Sequence, residues 1–562
     1  MWFLRRVLVT ALLLFTCSFA NADINGGTTC AACSILVGLA EQLAQVHTTD
    51  IVTAVETYLC TNLPNPLNEA CRALLNEFGS ALIDGVYHNE TPDIICHNIG
   101  LCTQEPGTEF CHAFPLPSNF DPSFLRIKDK SAFKRDKSDN PLCTLPGVKE
   151  ICNIIDRFSN DHLPIEDIDR DKFSEVTTLR GTHWRGKDCD DTKSNFYPGR
   201  KPVNSDRVAD SNCNGIYGVD PHSGIPFEEQ YCPKAHSRGI AILGDSAGAH
   251  FHLPPEYFMA ETLDEDTFQD VLMLLTDEFD WPQLSGVTAF TTNKWPHSID
   301  GPVDSLYMRL LKDNKCIHRD YQNIAVNGGD SSNMHTIMKG LARNSTTDYP
   351  IIIVLALVGN DVCNGHPDTL AHMTSVKDYR SNMLTTLNYL NSTLPVNSTV
   401  IISGLADGRI LWDTMHSRVH PIGQLNNDVT YRDLYEYLNC LQISPCTGWM
   451  NSNETIRNLT SKRAAELSQE GKRIVETQKY KSLDLIFMDY DVGDMISEWE
   501  SKGGQAWQII EPVDGFHPAQ TGQALSAEHI YNLLVKNYPD VIGKINPHNS
   551  KISETFGNQG GY

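Results

Sequence analysis

Ser246 lies at the end of a short apolar run, Ile240-Ala241-Ile242-Leu243, which stops at Gly244-Asp245-Ser246. A run that is apolar on both faces reads as a buried parallel strand. The small residues Ala247, Gly248 and Ala249 let the backbone turn tightly after it. The serine is then left at the strand's carboxyl end, where open α/β sheets place ligands. A hydroxyl there becomes a nucleophile once a base reaches it. Far along the chain, Asp514-Gly515-Phe516-His517 sets a carboxylate three residues before an imidazole. Asp514 can accept from one ring nitrogen and fix the tautomer, which frees the other nitrogen to take the Ser246 proton. Between them, a second apolar run (351–358) leads into Gly359-Asn360-Asp361, and Asn360 can donate an amide N–H to a developing oxyanion. Gly328-Gly329-Asp330-Ser331 adds a turn whose glycines can bring a backbone N–H close to a substrate. Each motif alone is an ordinary turn, and one histidine among 20 is ordinarily structural. Their order and type together make chance agreement improbable.

These groups need a scaffold. From about residue 235 to 562, apolar runs at 240–243, 351–358, 400–402 and 483–488 alternate with helical segments such as 462–480. That alternation predicts an α/β domain built on a doubly wound parallel sheet with helices on both faces. With these motifs in this order, the domain resembles the SGNH, or GDSL-type, esterases. The matching positions are Ser246, Gly328, Asn360 and His517, with Asp514 completing a triad. The spacing Asn323-x₄-Gly328 selects Gly328 over Gly329. The family signature has Leu after the serine, where this chain has Ala247. The resemblance implies a flavodoxin-like sheet. It also implies an oxyanion hole made by the backbone N–H groups of Ser246 and Gly328 and the Asn360 side chain.

The chain's ends and cysteines bound its compartment. Arg5 and Arg6, an apolar stretch from Val7 to Phe15, and Ala20-Asn21-Ala22 form a secretory signal over 1–22, with the mature chain beginning near Asp23. No later run is apolar enough to predict a transmembrane helix. Sixteen cysteines remain after Cys17 leaves with the signal, an even number suited to disulfides. Sequons start at Asn89, Asn344, Asn391, Asn397, Asn453 and Asn458. Together these predict a glycoprotein that is secreted or routed to a lysosome or another acidic vesicle. The net charge of −25 argues against a general nucleic-acid binder.

Residues 23–104 hold six cysteines among amphipathic helical patterns: Leu36, Leu39, Leu43, Val46; Ile51, Val55, Leu59; Leu74, Leu75, Phe78, Leu82. So small a bundle buries little apolar area, and disulfide staples would compensate. Six cysteines allow fifteen pairings, which spacing alone does not decide. The pattern resembles a saposin domain. That resemblance implies the pairs Cys30–Cys102, Cys33–Cys96 and Cys60–Cys71, and binding of lipid. Residues 105–160 read as a linker, with a basic cluster of Arg126, Lys128, Lys130, Lys134, Arg135 and Lys137 that suits proteolytic processing. Cys111 and Cys440 are candidates for a disulfide that would hold the two halves after a cut.

Residues 161–234 are densely acidic. Asp167, Asp169 and Asp171 alternate. Asp188, Asp190 and Asp191 precede Tyr197-Pro198-Gly199. Asp210, Asn212 and Asn214 alternate before Gly215, closing at Asp220. Oxygen side chains at alternate positions on a turning loop can wrap a hard cation. Ca²⁺ takes six to eight oxygens, including backbone carbonyls such as those of Phe173, Tyr197 and Ile216. Carboxylates this dense repel one another without a cation, so the expected role of Ca²⁺ is structural.

Across its whole length, through GDSAGAHFH, DCDD…YPGR, DSNCNGI, HRDYQN, GNDVC and EPVDGFHP, the chain resembles the acyloxyacyl hydrolase family. That resemblance implies release of secondary fatty acyl chains from the lipid A of lipopolysaccharide, and one precursor processed into disulfide-linked small and large subunits. Two alternatives stay open: a broader phospholipase or acyltransferase on the same scaffold, and a non-catalytic lipid-binding or lipid-transfer protein.

Overall fold

The computed structural model describes residues 24–65, 67–118, 120–122, 125, 162–177, 179–232 and 237–562. The signal segment 1–22 and the basic cluster of the linker lie outside the described residues.

Five parallel strands form one sheet: β1 (Gly239–Gly244), β2 (Tyr321–Asn323), β3 (Ile351–Ala356), β4 (Ser398–Ser403) and β5 (Leu483–Met488). Their order is β2-β1-β3-β4-β5. This is the doubly wound, flavodoxin-like order, in which the chain reverses direction across the sheet between β1 and β3. The register pairs Ile240 with Ile352, and Ile352 in turn with Thr399. Successive side chains of a strand point to opposite faces. Ala241, Leu243, Ile353, Leu355, Val400 and Ile402 enter one core, and Ile240, Ile242, Ile352, Val354, Ile401 and Ile486 enter the other. Both faces are therefore buried, which is why the central strands are continuously apolar.

The N-terminal module is helical: α1 (Gly27–His47), α2 (Ile51–Cys60), α3 (Leu67–Tyr87) and α4 (Pro92–Asn98). Disulfides join Cys30 to Cys102, Cys33 to Cys96 and Cys60 to Cys71. The module does not rely on those staples alone. Leu39, Leu43 and Ile51 share one apolar cluster with Ala260, Leu263, Phe268, Val271, Ile422, Val429, Tyr437 and Leu441 of the α/β part. Among the described residues one helical stretch, Ile24–His47, is long and apolar enough to cross a membrane by length and composition, yet 61% of its most apolar 18-residue window is buried inside the molecule. It is the central helix of this shared core.

Among the described residues, four more disulfides follow: Cys111–Cys440 ties the N-terminal part to the larger one, and Cys189–Cys213, Cys232–Cys316 and Cys363–Cys446 brace the larger part itself. Such density suits an oxidising compartment. Three helices matter below: α5 (Ser246–Ala249), α6 (Tyr431–Cys440) and α7 (Glu454–Thr477). The last begins earlier than the sequence pattern suggests, because the Asn453 side chain accepts from the Thr455 N–H and caps it. Of the six sequon asparagines, Asn89, Asn344, Asn397, Asn453 and Asn458 are exposed. Asn391 is half-buried, with its side-chain oxygen accepting the Ser482 N–H.

Candidate active site

Strand β1 delivers Ser246 to the first position of α5, on the carboxyl edge of the sheet where β1 and β3 diverge. The His517 ring arrives from a loop before the helix Gln520–Asn537. Its Nε2 accepts from the Ser246 hydroxyl at 2.6 Å, and its Nδ1 faces the Asp514 carboxylate, which accepts from it. Asp514 Oδ1 also accepts the Phe516 N–H at 2.8 Å and the His517 N–H at 3.2 Å. These bonds fix the ring from its own backbone. Phe251 and Phe516 pack on the imidazole, with ring centroids 4.7 and 4.8 Å away. Burial alone would lower the His517 pKa. The Asp514 charge and hydrogen bond outweigh it, with Glu511 and Asp245 adding, and the imidazole is held above its ordinary value. Burial likewise raises Asp514, but His517 more than offsets it, so this carboxyl sits below its ordinary value.

Asn360 follows β3, and its side-chain nitrogen donates to the Gly329 carbonyl at 3.0 Å. A primary amide has a second hydrogen, and Asn360 and Ser246 line the same cavity. Gly328 sits at φ +75°. Among the described residues its N–H donates to no protein acceptor, whereas the Gly329 N–H is used on the Val326 carbonyl at 2.9 Å. A Cβ on Gly329 would lie 2.8 Å from the Gly244 carbonyl oxygen, so this turn is pressed against the end of β1. The Asn323 side chain ties β2 to α5 by donating to the Gly248 carbonyl at 2.9 Å.

The cavity beside Ser246 measures about 90 Å³. Its walls are mostly apolar and include Leu411, Trp449, Met495, Ile509, Phe516 and Leu525. The long segment before α7, which has no recognisable sequence motif, thus supplies part of the wall through Leu411 and Trp449. A larger polar groove of about 780 Å³ adjoins it, sharing Asp407, Ile410, Tyr490 and Val492.

Several residues that sequence reasoning passed over hold this arrangement. Asp245, buried and raised by burial, accepts from the Ala247 and Val358 backbone N–H groups. Gln523 donates to the Ala247 carbonyl at 2.7 Å. Glu511, fully buried, accepts from the N–H groups of Leu253, Val513 and Asp514. The aspartate of a Gly-Asp-Ser turn is a cap signal, so Asp245 was findable; Glu511 and Gln523 carry none. His250 and His252 beside the serine are spoken for elsewhere. His252 Nε2 donates to the Ser298 carbonyl at 2.9 Å, and His250 Nδ1 lies 3.3 Å from the Trp281 carbonyl. Burial pushes their pKa values down to about 4 and about 3, which keeps both neutral.

The acidic section forms two clusters. The first merges two sequence motifs: carboxylate oxygens of Asp167, Asp169 and Asp191 lie within 4.8 Å of one another, as do those of Asp169, Asp171 and Asp188. Buried oxygens of Asp169, Asp171 and Asp188 have no hydrogen-bond partner. Burial and neighbouring carboxylates push Asp171 up to about 8 and Asp188 up to about 7. Orphaned, mutually repelling carboxylate oxygens are a donor set that fits Ca²⁺. Phe173 is buried beside this cluster, its N–H donating to Asp171. The second cluster gathers Asp206, Asp210, Asn212, Asn214 and Glu228. The amide groups of Asn212 and Asn214 face Glu228, Asn214 Oδ1 accepts the Ile216 N–H, and one Asp210 oxygen is orphaned. Asp206 and Glu228 were not singled out from sequence, because neither belongs to the alternating pattern. The Cys189–Cys213 disulfide links the loops of both clusters. Two other candidate carboxylates turn elsewhere: Asp190 binds Thr192 and Lys193, and Asp220 accepts within its own turn from His222 and Ser223. The Tyr197 ring is held by its hydroxyl, which donates to Asp348.

Comparison with known proteins matches the chain to two families. A Saposin-like domain model covers residues 29–153, and a GDSL-like Lipase/Acylhydrolase model covers residues 240–530. The chain is 44% identical over 550 residues to the acyloxyacyl hydrolase of Homo sapiens, covering 97% of this chain and 95% of that protein. It is 43% identical over 575 residues to the acyloxyacyl hydrolase of Mus musculus, covering 99% of both. Its N-terminal module is 26% identical over 76 residues to saposin-C of Cavia porcellus, 13% of this chain and 93% of that one. The protein is thus a hydrolase acting on ester bonds, with a saposin-like module joined to a GDSL-type α/β domain, and the chain belongs to the acyloxyacyl hydrolase family.

Proposed function

We propose that this enzyme removes secondary, acyloxyacyl-linked fatty acyl chains from the lipid A of lipopolysaccharide, with Ser246 as the nucleophile. The observation that carries this reading is the Ser246 hydroxyl, 2.6 Å from His517 Nε2 at the wall of an apolar cavity. Ser246 Oγ attacks the ester carbonyl while His517 takes its proton. Asp514 holds the ring tautomer and stabilises the imidazolium. The N–H groups of Ser246 and Gly328 and the second Asn360 amide hydrogen receive the oxyanion; one such donor is worth about 10²–10³ in rate. His517 then protonates the departing 3-hydroxyacyl oxygen. Water activated by His517 attacks the acyl-enzyme, and the free fatty acid leaves. The cavity receives the carbonyl end of the acyl chain that Ser246 takes up, and the saposin-like module, packed on the same domain, supplies lipid contact.

Asp167, Asp169, Asp171, Asp188 and Asp191 would hold one structural Ca²⁺, and the Asp210 cluster a second. Bound there, the ion neutralises carboxylates that otherwise repel. We place the protein in the secretory pathway, outside the cell or in an acidic vesicle. Processing in the linker would leave small and large subunits joined through Cys111–Cys440.

The test is to incubate wild type and Ser246→Ala with lipopolysaccharide and with phosphatidylcholine and to identify every fatty acid released. The reading expects secondary chains from wild type and none from the variant. Release of primary chains, or of phospholipid chains alone, refutes the substrate. Release by Ser246→Ala refutes the nucleophile.

A further inference from the structure

Helix α6 touches both halves of the molecule, and its two ends are fastened differently. On one face, Tyr431 and Tyr435, four residues apart, both reach the loop that carries Asp514 and His517. The Tyr435 hydroxyl donates to the Gly515 carbonyl at 2.6 Å, and the Tyr431 hydroxyl donates to the Pro512 carbonyl. The loop is pressed against these rings. A Cβ on Gly515 would lie 2.6 Å from the Tyr435 hydroxyl oxygen and 2.7 Å from Tyr431 Cδ1. On the other face, the Tyr437 hydroxyl donates to Ser34 Oγ in α1 at 2.9 Å and lies 3.4 Å from Cys30 Sγ. At the helix end, Cys440 is bonded to Cys111, and the Cys440 carbonyl accepts from the Asn25 side chain at 3.3 Å. Tyr435 and Tyr437 are both almost fully buried.

A ten-residue helix with a Thr430–Asp433 capping box is stiff over its three turns. A displacement imposed at Tyr437 or Cys440 is therefore passed to Tyr431 and Tyr435. Those two hydroxyls set the carbonyls on either side of Asp514, the residue that orients His517.

We propose that α6 is a strut through which the saposin-like module positions the Asp514–His517 loop, with Tyr431 and Tyr435 as positioning residues and Tyr437 as the link to the module. The module then acts on the chemical step itself as well as on lipid contact. This rests on the reading of Ser246 and His517 as the reacting pair.

The experiment uses full-length protein and a water-soluble short-chain ester, which needs no extraction from an aggregate. Tyr435→Phe, Tyr437→Phe, the double variant and Ser246→Ala are compared for kcat, KM and the pH profile of kcat/KM, with circular dichroism confirming the fold. A misplaced reacting group costs up to about 10² in rate. The strut expects Tyr435→Phe to lower kcat by about tenfold or more with KM unchanged, and to move the acid limb of the profile. It expects Tyr437→Phe, on the far face, to lower kcat about threefold or more in the same way. The double variant should lose less than the product of the two single losses, because both act on one element. Unchanged kcat in folded Tyr437→Phe overturns the proposal, as does a double variant equal to the product. Hydrolysis retained by Ser246→Ala overturns the active-site reading itself and the strut with it, whereas its loss beside an inert Tyr437→Phe overturns the strut alone.

Discussion

Asp245 Oδ2 accepts the backbone N–H of Val358 at 2.7 Å while its other oxygen accepts from Ala247 at 3.0 Å. One buried carboxylate thereby ties the turn that presents Ser246 to the strand exit that presents Asn360. The distance between nucleophile and oxyanion donor is set by that residue. In Asp245→Asn, one of the two backbone donors must face an amide NH₂ instead of an oxygen. An unsatisfied buried donor costs about 1–3 kcal/mol, and misalignment at the reacting centre costs about 10² in rate. Denaturant unfolding should show the first and steady-state kcat the second. Wild-type kcat in the variant would mean that the tie does not set the geometry.

Asp514→Asn should lower kcat by about 10⁴-fold, the loss expected when the orienting carboxylate of a serine triad becomes an amide. The sign of its pH effect follows from the same contact. In wild type, Asp514 holds His517 above its ordinary value, so the neutral base appears only as pH rises past this raised pKa. With the charge gone, burial dominates and the acid limb of kcat/KM moves to lower pH. A limb that stays in place would remove Asp514 as the cause of the shift.

Gly515→Ala tests the loop from another side. Gly515 adopts φ +63°, where side chains are strained, and its missing Cβ is the space that Tyr435 and Tyr431 occupy. We expect about 1–3 kcal/mol of destabilisation and a loss of kcat larger than the stability change alone explains, read from unfolding curves beside turnover.

Met495→Trp should shorten the acyl chains that the enzyme accepts. Met495 is buried in the wall of a cavity of about 90 Å³, where an added indole leaves little room. Chain-length profiles of released fatty acids would show the preference moving to shorter chains, with Ser246 chemistry intact on the shortest esters.

Removal of divalent cations by a chelator should lower the melting temperature, with calcium restoring it. Asp171→Asn should weaken that response, since Asp171 sits among Asp169 and Asp188 with an unpaired oxygen. A melting profile indifferent to both chelator and calcium would refute the metal reading.

The strands at 240–243, 351–358 and 400–402 were legible because burial on both faces writes a continuous apolar run, and the edge strand at 483–488 because five of its six residues are apolar although Asp484 is exposed. Strand β2 was not, because Tyr321-Gln322-Asn323 is polar in sequence. Gln322 is nonetheless buried, exchanging hydrogen bonds with the Ala342 backbone. Asp514 and His517 were legible because they sit three positions apart and fix one another, and Ser246 and Asn360 because each follows the apolar run of a buried strand. Glu511, Gln523 and the α6 tyrosines were not, because their partners lie on other elements or, for Glu511, on backbone N–H groups with no signature of their own. Among the acidic motifs, alternation alone could not tell Asp171, folded inward, from Asp190 and Asp220, which meet solvent and their own turns.

The shared core also has a consequence in time. Leu39 and Leu43 leave the ribosome long before Ile422, Val429 and Tyr437 exist to cover them, and Cys111 waits 329 residues for Cys440. At about 5–20 residues per second, that gap lasts roughly 15–65 s. Throughout it the newborn N-terminal module carries an uncovered greasy flank and an unpaired thiol. Folding of this protein therefore depends on whatever shields both during synthesis, and the yield of folded chain should respond to translation speed and to disulfide-forming conditions before it responds to any property of the finished fold.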